Sequence, residues 1–340
     1  MNNVNLKLIS INIVIVLILL VGCTKGTNNI ATDEVSDTIK IGVLIYRFDD
    51  QFISSVIDVI EQETEELNKI STKKIEISIV DGKNQQDIQV DQMKQFIKED
   101  YDALAINLVD RSKASVVINE AKQANIPVVF FNREPVQVDM ARWDQIYYVG
   151  TKGEQSGLIQ GEIAGEYWFD HPEADRNGDG IMQYVLIEGQ PGHQDVIQRS
   201  QYSVKALQDM GIEVEELVKD TANWQRLEAQ DVMSDWLDYF GDDIEMILSN
   251  NDAMALGAID AMRAHDSRLI PVVGIDGIQL AREALKKGEI IGTVFNDNIG
   301  QGKMVMNIAY YLAQDLDPTL FIDDIEKGTY YWVDYHKVID

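Results

Sequence analysis

The sequence predicts an α/β protein of two lobes, each a parallel sheet flanked by helices. Three observations lead there. Apolar, strand-length runs alternate with segments of helical period from Ile39 onward. The alternation restarts in full after Thr151. Residues 23–340 also make a body longer than one hydrophobic core commonly fills.

The first series opens with Ile39–Tyr46, a near-continuous apolar run that reads as a strand buried on both faces. A helix over 52–67 follows, with Phe52, Ile53, Val56, Ile57 and Ile60 on one face and Asp49 or Asp50 placed to cap it. Strands at 75–80, 103–108 and 126–131 alternate with helices at 86–98 and 112–123. The second series starts after Tyr147-Tyr-Val-Gly-Thr151 with a helix at 154–168. Strands near 182–187, 213–217, 246–249, 272–275 and 292–294 then alternate with helices near 196–210, 226–236, 254–264 and 279–287. A helix at about 302–313 and a short segment at 330–333 end the pattern. Two such series make two Rossmann-like lobes.

The first residues carry a different signal. Lys7 precedes an apolar run from Ile9 to Val21, followed by Leu20-Val21-Gly22-Cys23 and a polar stretch without period. A charged start, a short apolar run and a small residue before the cut describe a secretory signal over 1–22, too short for a comfortable membrane span. Leu-Val-Gly-Cys resembles a bacterial lipobox, which implies acylation of Cys23 and a flexible tether over 23–38. An uncleaved anchor helix or a plain signal remains open, and each reading places the body outside the cytoplasm. Cys23 is the only cysteine, so the body holds no disulfide.

The chain has 57 Asp plus Glu against 29 Lys plus Arg, a balance that opposes binding to nucleic acid or to an anionic membrane surface. A neutral solute is compatible. In open α/β sheets ligands bind outside the carboxyl ends of the strands. Those ends carry Tyr46-Arg-Phe-Asp-Asp-Gln-Phe52, Asn132-Arg-Glu, His193-Gln-Asp195, Asn250-Asn-Asp252, Asp276 and Asn296. Polar and aromatic residues thus gather where a ligand would sit.

The blocks Asp49-Asp-Gln-Phe52, Val128-Val-Phe-Phe-Asn-Arg-Glu-Pro135, Gly192-His-Gln-Asp195, Asp220-Thr-Ala-Asn-Trp224, Asn250-Asn-Asp-Ala-Met254 and Gly292-Thr-Val-Phe-Asn-Asp297 occur in order at near-constant spacing. In them the body from Ile39 onward resembles the periplasmic galactose/glucose-binding protein family, the type I solute-binding proteins of ABC sugar importers. The resemblance implies that Phe52 and Trp224 sandwich a pyranose ring. It implies polar contacts from Asp50 and Asn132 in the first lobe and from His193, Asp195, Arg199, Asn251, Asp276 and Asn296 in the second, with Tyr46 near the cleft mouth. The chemistry agrees. Aromatic faces pack on the C–H faces of a pyranose, while carboxylates accept, guanidinium donates and Asn does both for the hydroxyl rim. Taken singly, Trp224 and Phe52 read as core residues, and Asp195 with Arg199 as a surface ion pair of little value.

The resemblance also implies a lobe division: 39–149 plus 298–326 for the first, 150–297 plus 327–340 for the second. Three crossings follow, near 149–152, 295–298 and 326–331; the sequence pattern by itself supports only the first. Lobes joined this way close on a ligand about a three-segment hinge. The expected partners are D-galactose or D-glucose and ABC permease subunits, with a membrane sensor left open. The expected state is a monomer on the outer face of the cell membrane.

One loop, 175–183, is informative by itself. Asp175, Asn177, Asp179 and Gln183 occupy positions 1, 3, 5 and 9 of an EF-hand spacing, with Gly180 at the sharp turn and the Ile181 carbonyl at position 7. Position 12 is Leu186 where a bidentate Glu is required, and the resemblance supplies Glu245 instead. An all-oxygen set favours a structural Ca2+.

Other classes fit poorly. Asp50, Asp195 and Asp276 offer carboxylates to a glycosidase, but no nucleophile elbow, zinc motif or P-loop is present. His193, one of four histidines, needs no role as a base when it contacts hydroxyls. A sugar-responsive repressor would require a basic headpiece where this chain has its apolar leader. The expectation is a binding protein and not an enzyme.

Overall fold

A computed structural model describes residues 38–339, so the expected signal, the Cys23 anchor and nearly all of the tether lie outside the described residues. The first lobe comprises β1 (Thr38–Ile45), α1 (Gln51–Ile70), β2 (Lys74–Asp81), α2 (Gln86–Lys98), β3 (Ala103–Ile106), α3 (Ala114–Ala124), β4 (Val128–Phe131), the one-turn α4 (Gln137–Met140) and β5 (Ile146–Thr151). The second holds α5 (Gly153–Asp170), β6 (Ile181–Glu188), α6 (Gln194–Asp209), β7 (Glu213–Thr221), α7 (Arg226–Tyr239), β8 (Met246–Ser249), α8 (Asp252–Ala264), β9 (Val272–Asp276), α9 (Gln279–Lys286) and β10 (Gly292–Asn296). The chain returns to the first lobe for α10 (Asn298–Leu312) and β11 (Tyr330–Val333), and ends in the second with β12 (Tyr335–Val338).

Each lobe has one six-stranded sheet, in the orders β11-β5-β4-β3-β1-β2 and β12-β10-β9-β8-β6-β7. All pairs are parallel except β10 with β12. The central strands are buried on both faces, as their uninterrupted Val, Ile and Leu runs require. Each sheet therefore carries two apolar layers. In the first lobe one layer lies against α1 and α10, the other against α2 and α3. In the second, α7, α8 and α9 cover one face and α5 with α6 the other.

The chain passes between sheets after Thr151, after Asn296 and at Asp334. The third passage corrects the expected one near 326–331. Tyr330–Val333 pairs with β5 and completes the first sheet, so 327–333 does not belong to the second lobe. Only 335–338 crosses over, as an edge strand that the sequence pattern did not announce. Of its residues Tyr335 alone is buried, so no alternation marks it.

Among the described residues no helix is long and apolar enough to cross a membrane.

Candidate functional site

The two sheets present their carboxyl ends to each other, and a pocket that gathers most of the candidate residues lies between them. Tyr46, Asp50, Phe52, Ile53, Asn132 and Arg133 line it from the first lobe; His193, Asp195, Arg199, Trp224, Asn251 and Asp276 line it from the second. About 320 Å³ of empty space, mouth included, lies among these residues. Every sugar-contact candidate is in this lining except Asn296. That residue stands one layer back, donating to Asp276 Oδ1 at 3.2 Å and accepting from Gln301 at 2.7 Å.

On the first lobe, Asp50 caps α1 by accepting from the Ile53 N–H at 3.0 Å, and its other oxygen accepts from the Tyr46 hydroxyl. Asn107, fully buried, holds two of the candidates at once. Its Oδ1 accepts from the Tyr46 N–H at 3.3 Å, and its Nδ2 donates to Asn132 Oδ1 at 3.0 Å. The Arg133 guanidinium lies 3.7 Å over the Tyr46 ring, a cation–π stack that flattens one wall. Sequence reasoning selected neither Asn107 nor Arg133. Arg133 sits at a strand end already marked as the site, which was the available signal; Asn107 follows β3, whose end was not among those marked.

On the second lobe, helix starts do the positioning. His193 caps α6, its Nδ1 accepting from the Asp195 N–H at 3.1 Å, which fixes the tautomer with the proton on Nε2. Burial, then the nearby Arg133 and Arg199, holds this imidazole well below the usual histidine range, so it stays neutral. Asn251 caps α8 through Oδ1, 2.9 Å from the Met254 N–H. Arg199 donates to the Asn250 carbonyl at 2.7 Å, to Asp195 Oδ2 at 3.2 Å and to the Tyr335 hydroxyl at 2.9 Å, and stands 3.7 Å from Asp276 Oδ1. Burial raises both Asp195 and Asp276, Asp276 strongly, with Arg199 opposing the rise. Burial alone would lower Arg199, but Tyr335, Asp195 and Asp276 more than offset it and keep it charged.

Two glycine placements make this wall. Gly153, Gly157, Gly161 and Gly165 fall four apart on one face of α5, and a Cβ on Gly161 would collide with the Ser203 carbonyl of α6. That close approach seats α6, and with it Asp195 and Arg199. A Cβ on Gly189 would likewise strike the Trp224 ring, so Gly189 lets the indole lie against the end of β6. Trp224 (φ 66°), Asn132 (φ 60°) and Asp276 (φ 119°), all in the pocket lining, have left-handed backbones.

The 175–183 loop folds inward on its own oxygens. Asp175 accepts from the Gly178 and Gly180 N–H groups at 2.7 and 3.0 Å, Asn177 Oδ1 from Asp179 at 2.8 Å, and Asp179 Oδ1 from Ile181 at 2.8 Å. Glu245, buried beneath, accepts from the Arg176 and Gln183 N–H groups at 2.6 and 3.1 Å. Burial pushes the Glu245 carboxyl up, with Asp175 adding to the rise. The Gln183 side chain bridges Asn177 and Asp179. Among the described residues no group of three or more His, Cys, Asp or Glu side chains is gathered to hold an ion by itself. Here the amide oxygens of Asn177 and Gln183 and the Ile181 carbonyl would complete the shell, a donor set that fits a hard cation.

Comparison with known proteins finds similar chains. Residues 41–317 match the family described as periplasmic binding protein domain. The D-galactose/methyl-galactoside binding periplasmic protein of Haemophilus influenzae is 42% identical over 281 residues, covering 82% of this chain and 83% of that one. A putative rhizopine-binding protein of Rhizobium meliloti is 32% identical, covering 81% and 84%. The crystal structure of an ABC transporter solute-binding protein from Bacillus halodurans with bound myo-inositol superposes with a TM-score of 0.74 at 28% identity, covering 91% of this chain and 96% of that one.

Proposed function

The chain belongs to the type I periplasmic sugar-binding protein family, and from that premise we propose that it captures a hexose of the galactose or glucose type and hands it to a membrane ABC importer. The carrying observation is that Phe52 of one lobe and Trp224 of the other line a single pocket whose remaining wall is almost wholly polar. A pyranose needs that combination: aromatic faces for its C–H faces, and donors with acceptors for its hydroxyls. Arg199, the Nε2–H of His193 and the Nδ2 of Asn251 donate; Asp50, Asp195 and Asp276 accept. Each lobe supplies part of the set, so the sugar is fully bonded only when the lobes are shut, and it favours that state by those extra contacts. The galactose assignment takes support from the Haemophilus influenzae relative.

No chemical step is assigned. The pocket carboxylates are tied to Tyr46, Arg199 and Asn296, which turn them into fixed acceptors. The 175–183 loop with Glu245 would hold a structural Ca2+ through Asp175, Asn177, Asp179, Gln183, Glu245 and the Ile181 carbonyl. The ion would supply positive charge beside the buried carboxylate. Acylation at Cys23 would keep the protein beside its permease.

Calorimetry of residues 24–340 with galactose, glucose, myo-inositol and ribose tests the ligand. Galactose or glucose should bind tightest, and Trp224→Ala and Asp276→Ala should each remove that binding while circular dichroism stays unchanged. Preference for myo-inositol or ribose, or unchanged hexose binding in both variants, refutes the reading.

A further inference from the structure

Three arginines of the first lobe reach across the cleft mouth, and each ends on an uncharged acceptor of the second. Arg47 Nη2 donates to the Asn223 carbonyl at 3.1 Å, Arg111 Nη1 to Gln194 Oε1 at 3.0 Å, and Arg133 Nη2 to Gln190 Oε1 at 2.8 Å. Each guanidinium is also fastened on its own lobe. Arg47 Nε pairs with Asp49 at 3.0 Å, Arg111 Nε donates to the Glu134 carbonyl at 2.6 Å, and Arg133 Nη1 donates to the Val109 carbonyl at 2.7 Å. The forks are thus set before the lobes meet, and little side-chain freedom is lost on contact.

The kind of acceptor matters. Carboxylates are abundant in a chain with 57 Asp plus Glu, yet none of these three bonds ends on one. A guanidinium–carboxylate bond is roughly twice as strong as a bond between neutral groups. Three of them would favour the shut form with or without a ligand. Amide and carbonyl acceptors exchange protein for water at small net loss when the cleft opens.

Resting on the reading of this cleft as a closing sugar site, we infer that Arg47, Arg111 and Arg133, with Asn223, Gln190 and Gln194, form a weak latch that sets how often the empty protein shuts. Apparent affinity scales with the fraction of molecules already in the binding-competent state. The latch therefore tunes sugar affinity through Arg47 and Arg111, neither of which lines the sugar pocket.

The test reads closure directly. Spin labels go on Glu65→Cys and Gln208→Cys, both exposed and one on each lobe, in the full-length chain carrying Cys23→Ser in detergent. Interlobe distances are measured by electron–electron resonance without ligand, beside galactose and glucose titrations. Arg47→Ala and Arg111→Ala should each deplete the shut population and weaken hexose binding by about threefold to tenfold. Gln190→Glu, which gives Arg133 a charged acceptor, should enlarge the shut population, slow sugar release and tighten binding by about tenfold. Distances and release rates that move in neither direction overturn the latch, as does a Gln190→Glu protein that opens. If neither hexose binds at all, the ligand reading fails, while the ligand-free distances still decide the latch.

Discussion

The hydroxyl of Tyr335 accepts a hydrogen bond from Arg199 Nη2 at 2.9 Å. The same hydroxyl accepts from Thr151 Oγ1 at 2.7 Å. Thr151 ends the last first-lobe strand before the chain crosses, and Tyr335 opens the strand that follows the final crossing. A pocket guanidinium is thus fastened to two of the three hinge segments through one buried phenol. Removing the hydroxyl leaves Arg199 its carbonyl and carboxylate partners but frees it from the hinge. Tyr335→Phe should keep the fold and weaken hexose binding by roughly tenfold, the value of one bond to a charged group. Calorimetry checks it; an affinity within twofold of wild type would mean that the hinge does not position Arg199.

Gly189 and Trp224 give a second prediction. A methyl at residue 189 has no space beside the indole, so the ring must swing into the pocket or the β6 end must shift. Gly189→Ala should cost about 1–3 kcal/mol of stability and remove most hexose binding. Thermal melts and calorimetry on one preparation check both halves. Full binding by this variant would show that Trp224 does not need its present seat.

The fold was legible because its strands are buried on both faces and its helices are amphipathic, two patterns that hydrophobic periodicity reads well. The cap of α1 could be narrowed to Asp49 or Asp50 from their position before Phe52, and Asp50 is the one that caps. The edge strand at 335–338 escaped because only Tyr335 is buried. The third crossing escaped with it, since no composition change separates Val333 from Tyr335. At the site, the strand-end rule and the resemblance located the residues that line the pocket. They did not reveal those that hold them. Asn107 is a polar residue ending an apolar strand, Gly189 acts by having no side chain, and the α5 glycines carry no hydrophobic signal. The four-residue spacing from Gly153 to Gly165 was nonetheless in the sequence, and it marks a helix face that another backbone approaches.

The 175–183 loop, proposed to hold Ca2+, gives a third prediction. Stripping metal with excess chelator should lower the melting temperature, because an ion bound only by the folded chain adds stability by mass action. With Ca2+ at a hundredfold its dissociation constant, the difference should be about 2.7 kcal/mol, or about 5 °C. Glu245→Gln should abolish most of that difference. Identical melts with Ca2+ and on protein verified metal-free would remove Ca2+ from the account.

Buried carboxylates set the pH dependence of the chelated, sugar-free protein. Asp252 accepts from Thr293 Oγ1 at 2.7 Å and from the Ile278 N–H at 2.9 Å, yet burial still pushes its carboxyl up to about 6. Burial raises Asp195 and Asp276 as well. A carboxyl with a raised folded-state pKa binds more protons folded than unfolded between its two pKa values, so stability falls as pH rises through that interval. For Asp252 the interval runs from 3.8, the ordinary value of an aspartate carboxyl, to about 6. Self-repulsion from a net charge of −28 acts in the same direction, since protonation relieves it. Melts in chelator at fixed ionic strength should therefore show a higher melting temperature at pH 5.5 than at pH 7.5, and Asp252→Asn should flatten the slope. A lower melting temperature at pH 5.5 would mean that these carboxyls are ionised in the folded protein and held by partners strong enough to offset their burial.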